Sequence, residues 1–175
     1  MKKIQLVALT TFAFMAILSS PLRAQDKVFN ASKEAKAAFI KADGSMKSLF
    51  NNSYGYVIFP KVSKAALVVG GAGAQGAVYE KDKKIGTAKL AQVSVGAQVG
   101  GQAYREVIFF ENKEALDRFK DNKVEFSGQV SALAAKSGAS ANAKYTEGVQ
   151  VYTQGIGGLM AEASAGGQKF TFKKL

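Results

Sequence analysis

The stretch "LVVGGAGAQGAVYEKDKK", residues 67–84, decides between two fold classes. Its glycines at 71, 73 and 76 have the G-x-G-x-x-G spacing of a dinucleotide-binding turn in a parallel α/β domain. Such a turn needs a helix directly after Gly76 and an acidic residue about 20 positions further on. Only nine residues separate Gly76 from Gly86, and residues 91–98 contain no Asp or Glu. The pattern therefore favours a closely packed, glycine-rich strand over a nucleotide site.

The polar run after these glycines predicts a charged hairpin loop at residues 81–84, with a returning strand from Ile85 onward. Tyr79 and Lys83 have the Tyr-x-x-x-Lys spacing of some dehydrogenases. In those enzymes the pair lies on a helix far downstream of the glycine turn, whereas here it begins three residues after it. No cofactor is expected on this ground.

Strands dominate the rest of the pattern. Apolar residues spaced three and four apart over Asp26–Phe50 predict an N-terminal amphipathic helix that breaks near Gly44, and Asn112 is expected to cap a short helix through Asn122. The other predicted strands are Tyr54–Phe59, Gln92–Val99, Arg105–Phe110, Val124–Leu133, Gly148–Gln154, Gly157–Ala165 and Lys169–Phe172. We predict an α+β domain with an antiparallel, partly barrel-like sheet of about seven to nine short strands, an N-terminal amphipathic helix and one short inserted helix.

The first 24 residues have the three parts of a secretory signal peptide. Lys2 and Lys3 precede an uncharged apolar run over residues 4–18, and a small residue, Ala24, follows. The apolar run is shorter than the roughly 20 residues of a membrane-spanning helix. We expect cleavage near Ala24, a single domain over residues 25–175, and a periplasmic or secreted protein that associates peripherally with membranes.

Composition limits the possible chemistry. The chain has no His and no Cys, so it lacks the commonest general base, transition-metal ligands and soft nucleophile. No catalytic residue, metal site or cofactor is predicted, and an enzyme is not expected. Lys and Arg number 24 against 13 Asp and Glu, a formal charge of +11, which becomes +8 without residues 1–24.

Five motifs, taken in order along the chain, resemble the SYLF domain family over about residue 30 to Lys174. They are "FNNSYGYVIFP" at 50–60, "VGGAG" at 69–73, "VSVGAQ" at 93–98, "VIFF" at 107–110 and "GGLM" at 157–160. The resemblance implies a non-enzymatic module. Members of this family bind lipids such as phosphoinositides, some bind actin filaments, and many bacterial members are exported. An exported protein would meet actin only if it were delivered into a host.

Basic residues exceed acidic ones by eight to three between Gly44 and Phe110. Each Lys or Arg near an anionic membrane contributes about 1 kcal/mol of attraction. The predicted lipid-binding residues are Lys61, Lys64, Lys81, Lys83, Lys84 and Arg105, together with Lys33, Lys36 and Lys41 of the first helix. The same lysines could instead only solubilise the turns, and the helix could pack on the sheet instead of lying in a bilayer interface.

The sequence thus predicts an exported module that recognises anionic, phosphoinositide-like phospholipid surfaces through basic residues. One alternative is a structural or protein-binding module of the cell envelope. Another is a small outer-membrane barrel, which the many Ala and Gly residues in the strands disfavour. Nucleic acid is not expected as a partner, because the protein is predicted to be exported and only two arginines follow residue 24.

Overall fold

The computed structural model describes residues 20–63, 74–92, 103–122, 132–156 and 168–175. The helices are α1 (Ser20–Ala42), α2 (Met46–Asn52) and α3 (Lys113–Lys120). The strands are β1 (Gly55–Ser63), β2 (Ala74–Glu80), β3 (Lys83–Gln92), β4 (Ala103–Phe110), β5 (Ala132–Ala134), β6 (Val149–Ile156) and β7 (Gln168–Lys174). These strands form one sheet in the order β5-β6-β4-β1-β2-β3-β7. All pairs are antiparallel except β5–β6, so the predicted α+β class and strand number are confirmed.

Several predicted features lie outside the described residues. These are the strands over residues 93–99 and Gly157–Ala165, nearly all of Val124–Leu133, the glycines at 71 and 73, and residues 1–19 of the predicted signal peptide.

Helix α1 packs on one face of the sheet. This is one of the two predicted alternatives for the helix, the other being a position in a bilayer interface. Its apolar stripe places Phe29, Ala35 and Phe39 against the strands, all at most 3% exposed. Full burial of a side chain such as Phe39 contributes about 1.5–3 kcal/mol. The Ser32 hydroxyl also donates to the Ile58 carbonyl oxygen over 3.4 Å. The break predicted near Gly44 is confirmed, since α1 ends at Ala42 and α2 begins at Met46.

The opposite face of the sheet is covered by α3. Leu116 and Phe119 of this helix join a core cluster that includes Val57, Ile108 and Phe170. The helix begins where predicted, because the Asn112 side chain accepts a hydrogen bond from the Ala115 amide over 2.9 Å.

The glycine-rich strand has the predicted close packing at Gly76. A Cβ atom there would lie 2.7 Å from the Ile58 carbonyl oxygen and 2.7 Å from the Phe59 ring. No side chain fits in that space, and the residues after Gly76 continue as strand β2 into a hairpin instead of a helix. Close strand packing therefore accounts for Gly76, the last glycine of the dinucleotide spacing.

The sheet is strongly coiled. The Gln168 side chain on β7 donates to the Glu106 carboxyl group on β4 over 2.9 Å, although three strands lie between them. In a flat sheet these strands would be about 19 Å apart. The Phe59 and Phe170 ring centroids are likewise 5.9 Å apart. Curvature of this kind is what the predicted barrel-like shape requires, but the described sheet stays open, with β5 and β7 as its edges.

Asp43 joins the end of α1 to a loop nearly a hundred residues later. Its carboxylate accepts hydrogen bonds from the amide and hydroxyl of Ser45, from the amide and hydroxyl of Ser140, and from the Gly138 amide. Burial raises the pKa of Asp43, but these hydrogen bonds outweigh burial and hold it well below its ordinary value.

Candidate functional site

The tip of the β2–β3 hairpin is a two-residue turn at Lys81 and Asp82. Both residues have positive φ, 48° and 62°, which is the type I′ geometry that matches the twist of the flanking strands. Left-handed backbone at residues other than glycine costs of order 1–3 kcal/mol each, so contacts elsewhere must hold this turn. One such contact is the Lys81 amide, which donates to the Tyr54 carbonyl oxygen over 2.9 Å.

Three residues, here called the hairpin anchor, fix the turn to the domain: Lys36 on α1, Tyr56 on β1 and Asp82. The Asp82 carboxylate accepts hydrogen bonds from the Tyr56 hydroxyl and from the Lys36 ammonium group, the latter at 2.9 Å. Lys36 also donates to the Tyr56 hydroxyl oxygen over 2.9 Å and lies 4.9 Å from the centroid of the Phe50 ring. The hydrogen bonds from Tyr56 and Lys36 lower the pKa of Asp82. Burial is the main cause that raises the pKa of Tyr56, and the hydrogen bond to Asp82 is the second.

The cations of the tip remain on the surface. Lys81, Lys83 and Lys84 are all exposed. The Lys84 ammonium group lies 4.6 Å from the centroid of the Phe29 ring, and that of Lys81 lies 5.3 Å from the centroid of Tyr54. These aromatic contacts orient the side chains while leaving their charge available to an anion.

The structure brings together only some of the predicted lipid-binding residues. The three tip lysines and Lys36 are neighbours, but Lys36 serves in the hairpin anchor and is half-buried. Lys33 and Lys41 are exposed on α1, and Lys64 lies outside the described residues.

Lys61 and Arg105 do not join the tip. Gly55, at the start of β1, pairs with Glu80 beside the turn. Lys61 is exposed six residues further along β1, which places it about 20 Å from Gly55. Arg105 lies at the same distant end of the sheet, half-buried, and donates to the Gln154 side chain over 3.3 Å.

An open cleft of about 520 Å³ lies beside the tip. Its lining residues come from the end of α2, the link between α2 and β1, the turn and the position after β4: Phe50, Asn51, Asn52, Ser53, Tyr54, Lys81, Asp82 and Glu111. The Ser53 hydroxyl oxygen is buried and has no hydrogen-bond partner among the described residues. Sequence patterns could not reveal this cleft, because its walls are brought together only by sheet pairing.

The described part of the chain contains no group of three or more Asp, Glu, His or Cys side chains that could hold a metal ion. Within the same residues, none of the helices has the length and apolarity needed to cross a membrane.

These features define the class of protein as a coiled α+β domain with a basic hairpin tip that hydrogen bonds hold in place. Residues 91–174 match the Ysc84 family, described as "Las17-binding protein actin regulator". A curated relative, Beta cell expansion factor A of Aeromonas veronii, is 31% identical over 170 residues, which covers 87% of this chain. The chain spans 65% of the length of that relative. The resemblance to the SYLF (Ysc84) family is therefore confirmed over residues 91–174.

Proposed function

We propose that this chain is a non-enzymatic, exported module that binds anionic phospholipid surfaces, including phosphoinositide-like ones, through the exposed lysines of its hairpin tip. The observation that carries the proposal is the arrangement of Lys81, Lys83 and Lys84 at and directly after a turn that the hairpin anchor holds in place. Because the turn is already ordered, binding loses little backbone entropy there. Three lysines near an anionic surface contribute about 3 kcal/mol in total, or roughly a hundredfold in affinity.

Flotation with lipid vesicles tests the proposal directly. The protein is expected to float with phosphatidylcholine vesicles that contain phosphatidylglycerol, and not with phosphatidylcholine alone. Binding should weaken as salt rises, because salt screens exposed charges. Absence of flotation at low ionic strength would overturn the lipid proposal.

A triple substitution locates the site. Lys81→Gln, Lys83→Gln and Lys84→Gln together should reduce vesicle binding by up to about a hundredfold. The matched control replaces three exposed lysines outside the tip, Lys47, Lys136 and Lys144, by Gln, and should lose much less. Thermal stability should change little in either variant, since single exposed charges contribute about 0–1 kcal/mol. Equal losses in the two variants would mean that net charge, not the tip, governs binding.

The family description favours one second candidate, actin. The matched family is one of actin regulators, and for this chain the proposal applies only if the protein enters a host cell. Co-sedimentation with actin filaments, in the presence and absence of vesicles, separates the two functions. The protein could pellet with actin to the same extent with and without the tip substitutions. That result would assign actin binding to a different surface.

Export is part of the proposal and has its own test. Residues 1–24 are proposed to be removed, so that the mature chain begins near Gln25, within α1. N-terminal sequencing of the protein from the periplasm and the medium should give this start. A chain that remains in the cytoplasm with Met1 or Lys2 at its terminus would contradict it.

A further inference from the structure

Strands β3 and β7 form the most basic part of the sheet. Together they contain six lysines and no acidic residue, whereas β5 and β6 at the other edge contain no charged residue at all. Alternation along the strands sends Leu90 and Phe170 into the core. The same alternation places Lys89, Lys169 and Lys173 on the opposite face, where all three are exposed.

The strand register brings these lysines close together. Lys89 pairs with Thr171, so that Lys169 and Lys173, two residues to either side of Thr171, are its diagonal neighbours. Diagonal neighbours across paired strands are about 7–8 Å apart, within reach of long side chains. The two strands thus concentrate lysine side chains on one face of the sheet.

A bulge in β3 adds Lys84 of the tip to the same face. The register between β2 and β3 shifts between Val78 and Tyr79, so that Ala77 pairs with Thr87 but Tyr79 pairs with Lys84. Ala77 and Tyr79 both lie on the face covered by α1, and paired residues share a face. Without the bulge, Lys84 would point with Gly86 to the core side.

We infer that Lys84, Lys89, Lys169 and Lys173, the lysine face, form a second contact surface for an anionic bilayer, so that the module lies on a membrane along β3 and β7. The inference rests on the proposed function and extends it from a point contact at the tip to a side-on orientation. Charge complementarity supports it, because a set of exposed, flexible ammonium groups suits the mobile anionic headgroups of a bilayer. A specific phosphate pocket would favour the rigid forks of arginine, and neither strand has one.

Protection of the sheet edge is the competing explanation. Lysines on edge strands discourage pairing with other chains, and β7 is an edge of the described sheet. Lys89 and Lys84 lie on β3, which is paired on both sides, so edge protection does not account for them.

The test is a triple variant, Lys89→Gln, Lys169→Gln and Lys173→Gln, compared with the tip variant and the Lys47, Lys136 and Lys144 control. Vesicles of phosphatidylcholine with phosphatidylglycerol are the probe, and circular dichroism confirms folding. At about fivefold for each lysine, the lysine-face variant should bind roughly a hundredfold more weakly than the wild type. No flotation of the wild type would defeat the proposed function itself. If the wild type floats and the lysine-face variant binds vesicles equally well, only this inference is overturned.

Site-specific labelling reports the orientation independently. Because the chain has no cysteine, Thr171→Cys places a single polarity-sensitive fluorophore between Lys169 and Lys173. Ser137→Cys, in an exposed loop, is the control position. Vesicles should shift the emission of the label at position 171 and leave that at position 137 unchanged. Equal emission shifts at positions 171 and 137 would contradict a side-on bilayer contact. A lysine-face variant that loses binding to heparin but keeps binding to vesicles would contradict it as well.

Discussion

Asp43 and Glu106 are both buried carboxyl groups, 2% and 0% exposed, yet their pKa values are shifted in opposite directions. Asp43 accepts five hydrogen bonds and its pKa lies well below the ordinary value. Glu106 accepts one, from Gln168, and its second oxygen has no partner among the described residues. Burial raises the pKa of Glu106 from 4.5 to about 7, although the Gln168 hydrogen bond lowers it.

The difference shows that the backbone around a buried carboxyl group decides its charge. Asp43 lies at a chain reversal, where amides that no helix or strand uses point toward it. Glu106 lies in the middle of β4, where the amides are engaged with neighbouring strands. A carboxylate in a central strand must therefore rely on side chains, and Gln168 supplies a single donor.

The largest effect is expected for Asp43→Ala. The substitution leaves the buried amide of Ser140 and both serine hydroxyls without their acceptor, which should lower the free energy of unfolding by about 3 kcal/mol. Urea denaturation at pH 7 measures this loss, and Ser140→Ala, which removes one donor, should cost much less. A loss below about 1 kcal/mol for Asp43→Ala would show that solvent replaces the carboxylate.

The Asp43 contribution should also depend on pH. Because the folded state lowers the pKa of Asp43, its stabilisation is complete above the ordinary value of 3.8 and is lost as the pH falls toward the lower folded value. The difference in stability between the wild type and Asp43→Ala should therefore shrink at acid pH. A constant difference would argue against an ionised Asp43.

Glu106→Gln should have the next largest effect, of opposite sign. A raised folded pKa means that the wild type loses stability as pH rises from about 4.5 to about 7, by at most about 3 kcal/mol. The variant lacks this loss, and its amide can donate to the Gln168 side-chain oxygen, which has no partner among the described residues. We expect Glu106→Gln to be more stable than the wild type at pH 8 and to have a flatter stability profile. Parallel pH profiles for the two proteins would mean that Glu106 titrates normally.

The smallest of these effects on stability is expected at Asp82, an exposed carboxylate whose pKa is lowered by Tyr56 and Lys36. Asp82→Ala removes the centre of the hairpin anchor and should cost about 1 kcal/mol of stability. It also makes the protein more basic, so net charge alone predicts stronger vesicle binding. We expect binding to weaken severalfold instead, because the tip loses its fixed position. Asp82→Asn, which suits the left-handed turn, is the control for backbone conformation.

Local patterns predicted the elements well. The period of three and four identified α1, the Asn112 cap identified the start of α3, and the polar run before Ile85 identified the hairpin with its exposed lysines. The sheet curvature, the cleft beside Ser53 and the bulge that turns Lys84 outward could not be predicted. Each depends on which strands become neighbours.

Residues 67–84 illustrate which features follow from the sequence alone and which follow from the tertiary structure. The sequence by itself determined that residues 67–84 lead into a charged hairpin and that the chain carries no His or Cys, because turn chemistry and composition act over a few residues. Only the tertiary structure decided that Gly76 lies against Ile58 and Phe59, that Lys36 holds Asp82, and that Glu106 is buried beside Gln168. Those contacts join residues 17 to 62 positions apart, and their partners are chosen by the packing of the whole sheet, which no local pattern records.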